Sequence, residues 1–507
     1  KLEGFPTRLA PGQHELVLQL ECEQPVPVGP ISIHLQQRLV GCIGFIQGSG
    51  FWLPTNGKWA TEDGLAAEVC LYGEEPYGDL ENSPDWFIIG GFGDIETEPV
   101  EHIHVMSANE LNAAVDGARI RLEGELKGEE HLPRPTRDQL DIFYHLRKQR
   151  EWKELRAVQT RSDWSRIPSF RADLGREANI RFSFDNKSQV PVTVLWNGAE
   201  SVHELERYDA CITEWFVVQP GESFVTLPQG MRYVQLYLFG PIGAGLSADI
   251  RFEDASVRPP KSGSFASDSP LMNEIYDVSV HTNRVCHQIG LWDGIKRDRL
   301  NWTYDFYLAA KADYVLWDDL SVLKRSIREL GGTPYGYWMN SIPAYTLWWL
   351  CNIWEYYWFT KDAAFVEEIA GDLRKHVAWV NENRDPEHGY LRDPGHLFIE
   401  WVPMEQDEAR LCMQALLKMA RDNLVRLNEA VPGLNLDADW QLSELPESGF
   451  VSGKSAITPL LGIISGFVSE ESAVRHLSTC RLKDPVTPLS AYWFAECCSL
   501  HGLHERA

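Results

Sequence analysis

Residues 293–305 read Asp293-Gly-Ile-Lys-Arg-Asp298-Arg-Leu-Asn-Trp302-Thr-Tyr-Asp305, and this stretch decides how the chain is interpreted. It packs three carboxylates, two arginines, one lysine and one tryptophan into thirteen residues. Such a self-neutralising run is ordinarily a solvated salt-bridge cluster. Two features argue otherwise: a tryptophan among the acids, and strongly apolar helical segments on either side, which would turn the run into a cavity. With the second half helical, Asp298, Trp302 and Asp305 stand at i, i+4 and i+7, on one face. Carboxylates around a flat aromatic wall suit a sugar. An acid protonates the glycosidic oxygen, and the ring stacks on the pyranose.

Working outward, residues 1 to about 260 read as β. Alternating runs such as His14–Leu20, Ala118–Gly124, Val190–Trp196, Tyr233–Leu238 and Ser247–Phe252 recur between turn residues. A polar stretch from Arg134 to Arg166, with a short helix near Leu140–Leu155, separates two β-sandwich domains. From Ser264 the period becomes helical. Ser269 is an N-cap and Pro270 occupies the first helical position. Helices are expected near 270–287, 301–315, 318–330, 342–360, 363–383, 406–430, 455–468, 470–480 and 488–502. The expected domains are 1–133 (β-sandwich), 134–262 (second β-sandwich with a helical linker at its start) and 263–507 (helix pairs forming an α/α toroid).

Bulk properties exclude several functions. The chain has 507 residues, room for about three domains, and a net charge of −26, unsuited to nucleic acid or anionic membrane surfaces. Its nearest approach to a membrane span, Ile342–Trp358, is broken by Asn352 and Glu355. Ten scattered cysteines lack any Cys-x-x-Cys pair, which fits buried thiols in a reducing compartment, hence a cytoplasmic location. No signal peptide is expected from the first residues, which begin at Lys1 without a methionine. No zinc spacing, Gly-rich phosphate loop or Gly-x-Ser-x-Gly elbow appears, so no metal and no cofactor are expected. Oligomeric state is not readable.

The stretch 293–305 resembles the signature of the α-L-rhamnosidases of glycoside hydrolase family 78, Asp-(Cys/Gly)-Pro-(Lys/Gln)-Arg-(Glu/Asp)-Arg-Leu-x-Trp-x-Gly-Asp. Gly263–Tyr276 is similar to that family's entry to its barrel. Trp354-Glu-Tyr-Tyr-Trp-Phe-Thr-Lys-Asp362 resembles its Trp-x-x-Tyr-x-x-Thr-Gly-Asp helix end, and Phe398-Ile-Glu-Trp401 its Phe-Gly-Asp-Trp loop. The resemblance covers roughly residues 260–500. It implies a multidomain β + α chain, with N-terminal β-sandwich domains followed by an (α/α)6-type barrel (the six-hairpin glycosidase fold). The implied activity is inverting hydrolysis of terminal α-L-rhamnosyl residues from glycosides or oligosaccharides, so the expected partner is a carbohydrate.

Carried over by position, Asp298 falls on the general acid. Asp293 and Asp305 fall on carboxylates that bind rhamnose hydroxyls, Arg297 on the arginine beside them, and Trp302 and Trp401 on pocket aromatics. Tyr345 and Trp338 are further pocket candidates. Two motif positions depart: Ile295 replaces proline and Tyr304 replaces glycine, the latter expected to narrow the pocket. The family's glutamate base lies in a Thr-x-Trp-Glu type segment beyond the helix matching 488–502. This sequence has no such segment, so the barrel is expected to be incomplete. Glu400 is the substitute base, ahead of Glu405; Glu496 and His396 are assigned structural roles. Two other functions compete: a non-catalytic sugar-binding protein on the same scaffold, motivated by the missing base, and a hydrolase of another sugar, motivated by Ile295 and Tyr304.

Overall fold

The structure is a computed structural model. It describes residues 97–127, 166–206, 212–226, 228–288, 290–296, 300–385, 387, 389–392, 397–480 and 487–507, with the backbones of four short strands between 34 and 54. Those four strands form two hairpins, β1 (His34–Leu35) with β2 (Arg38–Leu39) and β3 (Phe45–Gly48) with β4 (Phe51–Pro54). The expected helix near 140–155 lies outside the described residues.

Ten strands then build one antiparallel network: β5 (Glu98–Pro99), β6 (His104–Asn109), β7 (Leu111–Asp116), β8 (Arg119–Glu125), β9 (Ser169–Asn186), β10 (Val192–Ala199), β11 (Ile212–Val218), β12 (Ser223–Val225), β13 (Gln229–Phe239) and β14 (Gly245–Asp254). The central path runs β11-β10-β13-β9-β14-β8-β7. Described strands on both sides of residue 133 take part in this network. β8 pairs with β14 along seven residues, Arg119↔Arg251 to Glu125↔Gly245, because the alternating face that buries Ile120 and Leu122 meets the one that buries Ala248 and Ile250. The core holds Phe182, Phe184, Trp196 and Phe252, with the Phe182 and Trp196 rings edge to face at 5.2 Å.

β9 is too long to stay straight. It bends at Gly175, which adopts φ +87° beside exposed Arg176, and β13 answers with a register irregularity between Met231 and Tyr233. Arg232 spans the bend with a guanidinium–carboxylate pair to Asp173 at 2.8 Å.

The rest is helical: α1 (Pro270–Val285), α2 (Thr303–Leu316), α3 (Ser321–Gly331), α4 (Pro343–Thr360), α5 (Ala363–Glu368), α6 (Ala370–Glu382), α7 (Gln406–Ala430), α8 (Glu447–Val451), α9 (Ile457–Ile464), α10 (Glu470–Thr479) and α11 (Pro488–Leu500). Ser269 caps α1 by accepting the Met272 N–H, with Pro270 at the first helical position. The helix expected over 363–383 is two pieces, broken at Ile369.

Side-chain contacts show that α2, α4, α7, α9 and α11 start at the same end. Trp302 meets Tyr345 at the starts of α2 and α4, and Tyr314 stacks on Phe359 near their ends. The Tyr357 hydroxyl reaches the Ala430 carbonyl where α4 and α7 end. Glu408 accepts from Ser455 and Thr458 where α7 and α9 begin. Trp348, Leu416, Leu461 and Trp493 fill the core they share. Among the described residues, no helix is long and apolar enough to cross a membrane.

Candidate active site

The common starting end of these helices gathers two segments, residues 290–296 with 300–302 and residues 397–401, which include Asp293, Trp302, Glu400 and Trp401 among the expected site residues. The first segment is a closed loop, not the start of a helix. Asp293 and Leu300 exchange bonds: the Asp293 N–H donates to the Leu300 carbonyl, and the Leu300 N–H donates to Asp293 Oδ1, both at 3.1 Å. One oxygen of the half-buried Asp293 therefore fastens the loop.

Helix α2 begins only at Thr303, so the expectation that residues 298–305 share one helical face is corrected. Asn340 is the reason. Its Oδ1 accepts from both the N–H and hydroxyl of Thr303, at 3.1 and 2.8 Å, while its Nδ2 donates to the Asn301 carbonyl. Asn340 does this from a left-handed backbone, φ 48° and ψ 27°, which asparagine tolerates. Trp302 is consequently an extended N-cap, buried against Tyr345 edge to face at 6.0 Å, while Asp305 sits exposed in the first turn of α2. Asp298, Arg297 and His396 lie outside the described residues.

An aromatic path leads from this loop to the second segment. Tyr345, itself buried, contacts Phe398, whose ring meets Trp401 at 4.9 Å. Trp401 is 84% exposed and stands at the rim. Trp338 is placed elsewhere, packed on Trp379 at 5.5 Å.

Glu400 is buried, and the Thr487 hydroxyl donates to its Oε1. Thr487 is the N-cap of α11 and forms a capping box with Ser490, so a helix start holds this carboxylate's donor. Burial pushes the Glu400 carboxyl up to about 7. Glu405, by contrast, is exposed and loosely paired with Lys454 at 3.6 Å.

Tyr304, the residue that replaces the motif glycine, lies in the helix core. It is buried, stacks on Trp348 at 4.5 Å, and accepts the Trp493 indole N–H at 2.8 Å. Burial raises its phenol pKa, and the Glu400 and Asp305 carboxylates raise it further. Tyr304, Trp348 and Trp493 thus form a floor with both carboxylates near it. Beyond that floor, towards the opposite ends of the helices, a separate cavity of about 610 Å³ is lined by Lys311, Glu355, Trp358, Asp422 and Glu496. Among the described residues, none of the expected catalytic or sugar-binding residues lines it.

Sequence reasoning missed Asn340, Thr487 and the role of Tyr304. Thr487-Pro488 carried a legible cap signal. Asn340 carried none beyond its tolerance of positive φ.

A GH78 family rhamnosidase of Bacillus sp. GL1 superposes with a TM-score of 0.52 at 20% identity, over 66% of this chain and 40% of that one. A rhamnosidase from Klebsiella oxytoca with rhamnose bound gives 0.52 at 17% identity, over 81% of this chain and 84% of that one. The α-L-rhamnosidase of Streptomyces avermitilis complexed with L-rhamnose gives 0.51 at 16% identity, over 67% and 36%. The chain has the fold of the α-L-rhamnosidases. No family model matches the sequence, and no curated protein does. The chain corresponds to about 40% of the length of the Bacillus rhamnosidase. This rhamnosidase-like fold includes both the sheet region and the helical region that carries residues 293–305 and Glu400.

Proposed function

We propose that the chain is a glycoside hydrolase that releases terminal α-L-rhamnosyl residues with inversion, its helical part forming an (α/α)6-type barrel. The observation that carries this reading is a coincidence: the sugar-hydrolase motif at 293–305 lies at the common starting end of helices whose fold is that of α-L-rhamnosidases. Helix N-termini carry partial positive charge, which favours the ionised form of a base and of hydroxyl-binding carboxylates.

Asp298, by its motif position, donates a proton to the glycosidic oxygen as the bond to the anomeric carbon breaks. Glu400 accepts a proton from the water that attacks that carbon from the opposite face, and the product leaves with inverted configuration. This requires the two carboxyl groups to be ~6.5–9.5 Å apart. Asp293 and Asp305 bind sugar hydroxyls, Arg297 holds their charge, and Trp302, Tyr345 and Trp401 supply apolar surface. With its pKa near 7, Glu400 is partly ionised at neutral pH, as a base must be.

The test is release of 4-nitrophenol from the aryl α-L-rhamnoside, with NMR of the first sugar anomer formed. Asp298→Asn and Glu400→Gln should each lower turnover by at least about 100-fold while the far-UV circular dichroism is unchanged. Turnover of a different aryl glycoside in place of the rhamnoside would move the substrate. No turnover of any glycoside, with rhamnose still raising Tm, would make the chain a sugar-binding protein.

A further inference from the structure

We propose that the sheet region positions the catalytic loop through Lys296, which acts as a peg set into a carboxylate socket. This rests on the reading of residues 293–305 as the active-site loop. Lys296 is only 7% exposed, and its ammonium reaches Glu204 at 2.7 Å and Glu200 at 3.3 Å. Both acids belong to the sheet region, just after β10, so the bond crosses from one fold layer to the other.

The neighbouring residue makes a second anchor. The Gly230 N–H of β13 donates to the Ile295 carbonyl at 3.0 Å. The fit is close enough that a Cβ on Gly230 would lie 2.4 Å from both the carbonyl carbon and oxygen of Ile295. Gly230 sits at the start of β13, beside its register irregularity and opposite the bend of β9, and that bend also carries Glu177. The bulge in the sheet is therefore the surface on which the loop rests, a recurrent use of bulges.

The electrostatics explain why the peg is a lysine. A buried ammonium is tolerable only with close partners. Glu200 and Glu204 pair with this cation, and Glu177 lies close enough to feel its charge. Burial and the adjacent Glu200 and Glu204 push Glu177 up to about 8, which relieves part of the crowding. Without the Lys296 charge, Glu200 and Glu204 would face each other uncompensated and expel the loop. Lys296 stands two residues before Asp298, so a shift of about 1 Å at the peg reaches the acid, and misplacement on that scale can cost ~100-fold in rate. Because its ammonium is buried against Glu200 and Glu204 of the sheet region, Lys296 acts as a positioning residue.

The experiment compares Lys296→Met, Lys296→Arg and the double variant Glu200→Gln/Glu204→Gln with the parent and with Asp298→Asn. Two readouts are taken: kcat and KM on the aryl rhamnoside, and amide hydrogen exchange at Gly230 and Leu300, whose N–H groups bond to the loop backbone and to Asp293. Lys296→Met should lower kcat about 10- to 100-fold with KM within about threefold, and speed exchange at both amides at least about tenfold. The double glutamine variant, which leaves the lysine in place, should show the same pattern more weakly. Lys296→Arg should recover most of the rate and slow exchange. Unchanged exchange at Gly230 and Leu300 in Lys296→Met, or kcat within twofold of the parent, would overturn the proposal. If the parent hydrolyses no glycoside, the functional reading fails, and the exchange data alone still decide whether Lys296 holds the loop.

Discussion

The Trp493 indole N–H donates to the Tyr304 hydroxyl at 2.8 Å across the helix core, joining the start of α2 to the middle of α11. Both rings are buried and both stack on Trp348, at 4.5 Å and 5.7 Å. Tyr304→Phe keeps the stack but leaves a buried donor unpaired, which should cost about 1–3 kcal/mol. Tyr304→Gly, which restores the residue of the motif it departs from, empties the floor and should cost about 3–5 kcal/mol. Urea denaturation of the two variants checks the order. Equal stability of Tyr304→Phe and the parent would mean that the indole N–H finds another acceptor.

Glu400 offers a pH signature. As the base it must be ionised, so kcat/KM should fall as pH drops through about 7, the value to which burial lifts this carboxyl. The Thr487 hydroxyl stabilises the ionised form by donating to it. Thr487→Val should therefore move the acid limb to higher pH, while Thr487→Ser leaves it in place. Loss of the helix cap by Thr487→Val should also cost about 1 kcal/mol of stability. An acid limb unmoved by Thr487→Val would detach that hydroxyl from the titrating group.

Helix positions were legible in the sequence where one rule governed them. Gln406–Ala430 was expected to the residue, because apolar period and polar flanks agree over seven turns. The 293–302 loop was not, since local propensity favours helix there and only Asn340, nearly forty residues on, holds Asn301 and Trp302 extended. The pairing of β8 with β14 was equally hidden, because alternation shows which face of a strand is buried and not which partner covers it. For the site, residue types and spacing brought out the carboxylate-rich stretch and the Phe398–Trp401 loop. They were silent on the pairing of Thr487 with Glu400 and on the Lys296 socket, which join segments nearly ninety or more residues apart.

Stability should depend on Glu329. Burial raises its carboxyl from the usual 4.5 to about 7, with the Asn301 amide donating to it at 2.6 Å. A folded-state pKa above the unfolded one means that the native state holds the proton longer. Its stabilising contribution is full below about pH 4.5 and is lost as pH rises to about 7. The slope is at most ~1.4 kcal/mol per pH unit. Glu329→Gln keeps an acceptor for Asn301 and removes the titration, so its unfolding free energy should be flatter across that window and exceed the parent's above it. Parallel curves for the two proteins would place the titration elsewhere.

Trp401 separates a structural from a sugar-binding role more cleanly than any other ring at the site. It is 84% exposed, and its one described ring contact is the edge of Phe398. A side chain with so little buried surface contributes little to folding, so Trp401→Ala should change the unfolding free energy by no more than about 0.5 kcal/mol. If its indole stacks on the substrate, the same variant should lose about 1–3 kcal/mol of binding, the scale on which aromatic faces hold flat ligands. That loss appears as a KM roughly 5- to 150-fold higher, with kcat much less affected, because stacking on a rim residue binds ground state and transition state alike. Phe398→Leu is the companion variant. It removes the ring that orients Trp401, and should raise KM in the same direction by a smaller factor. A Trp401→Ala protein with unaltered KM on both the aryl rhamnoside and a rhamnosyl disaccharide would take this residue out of the site.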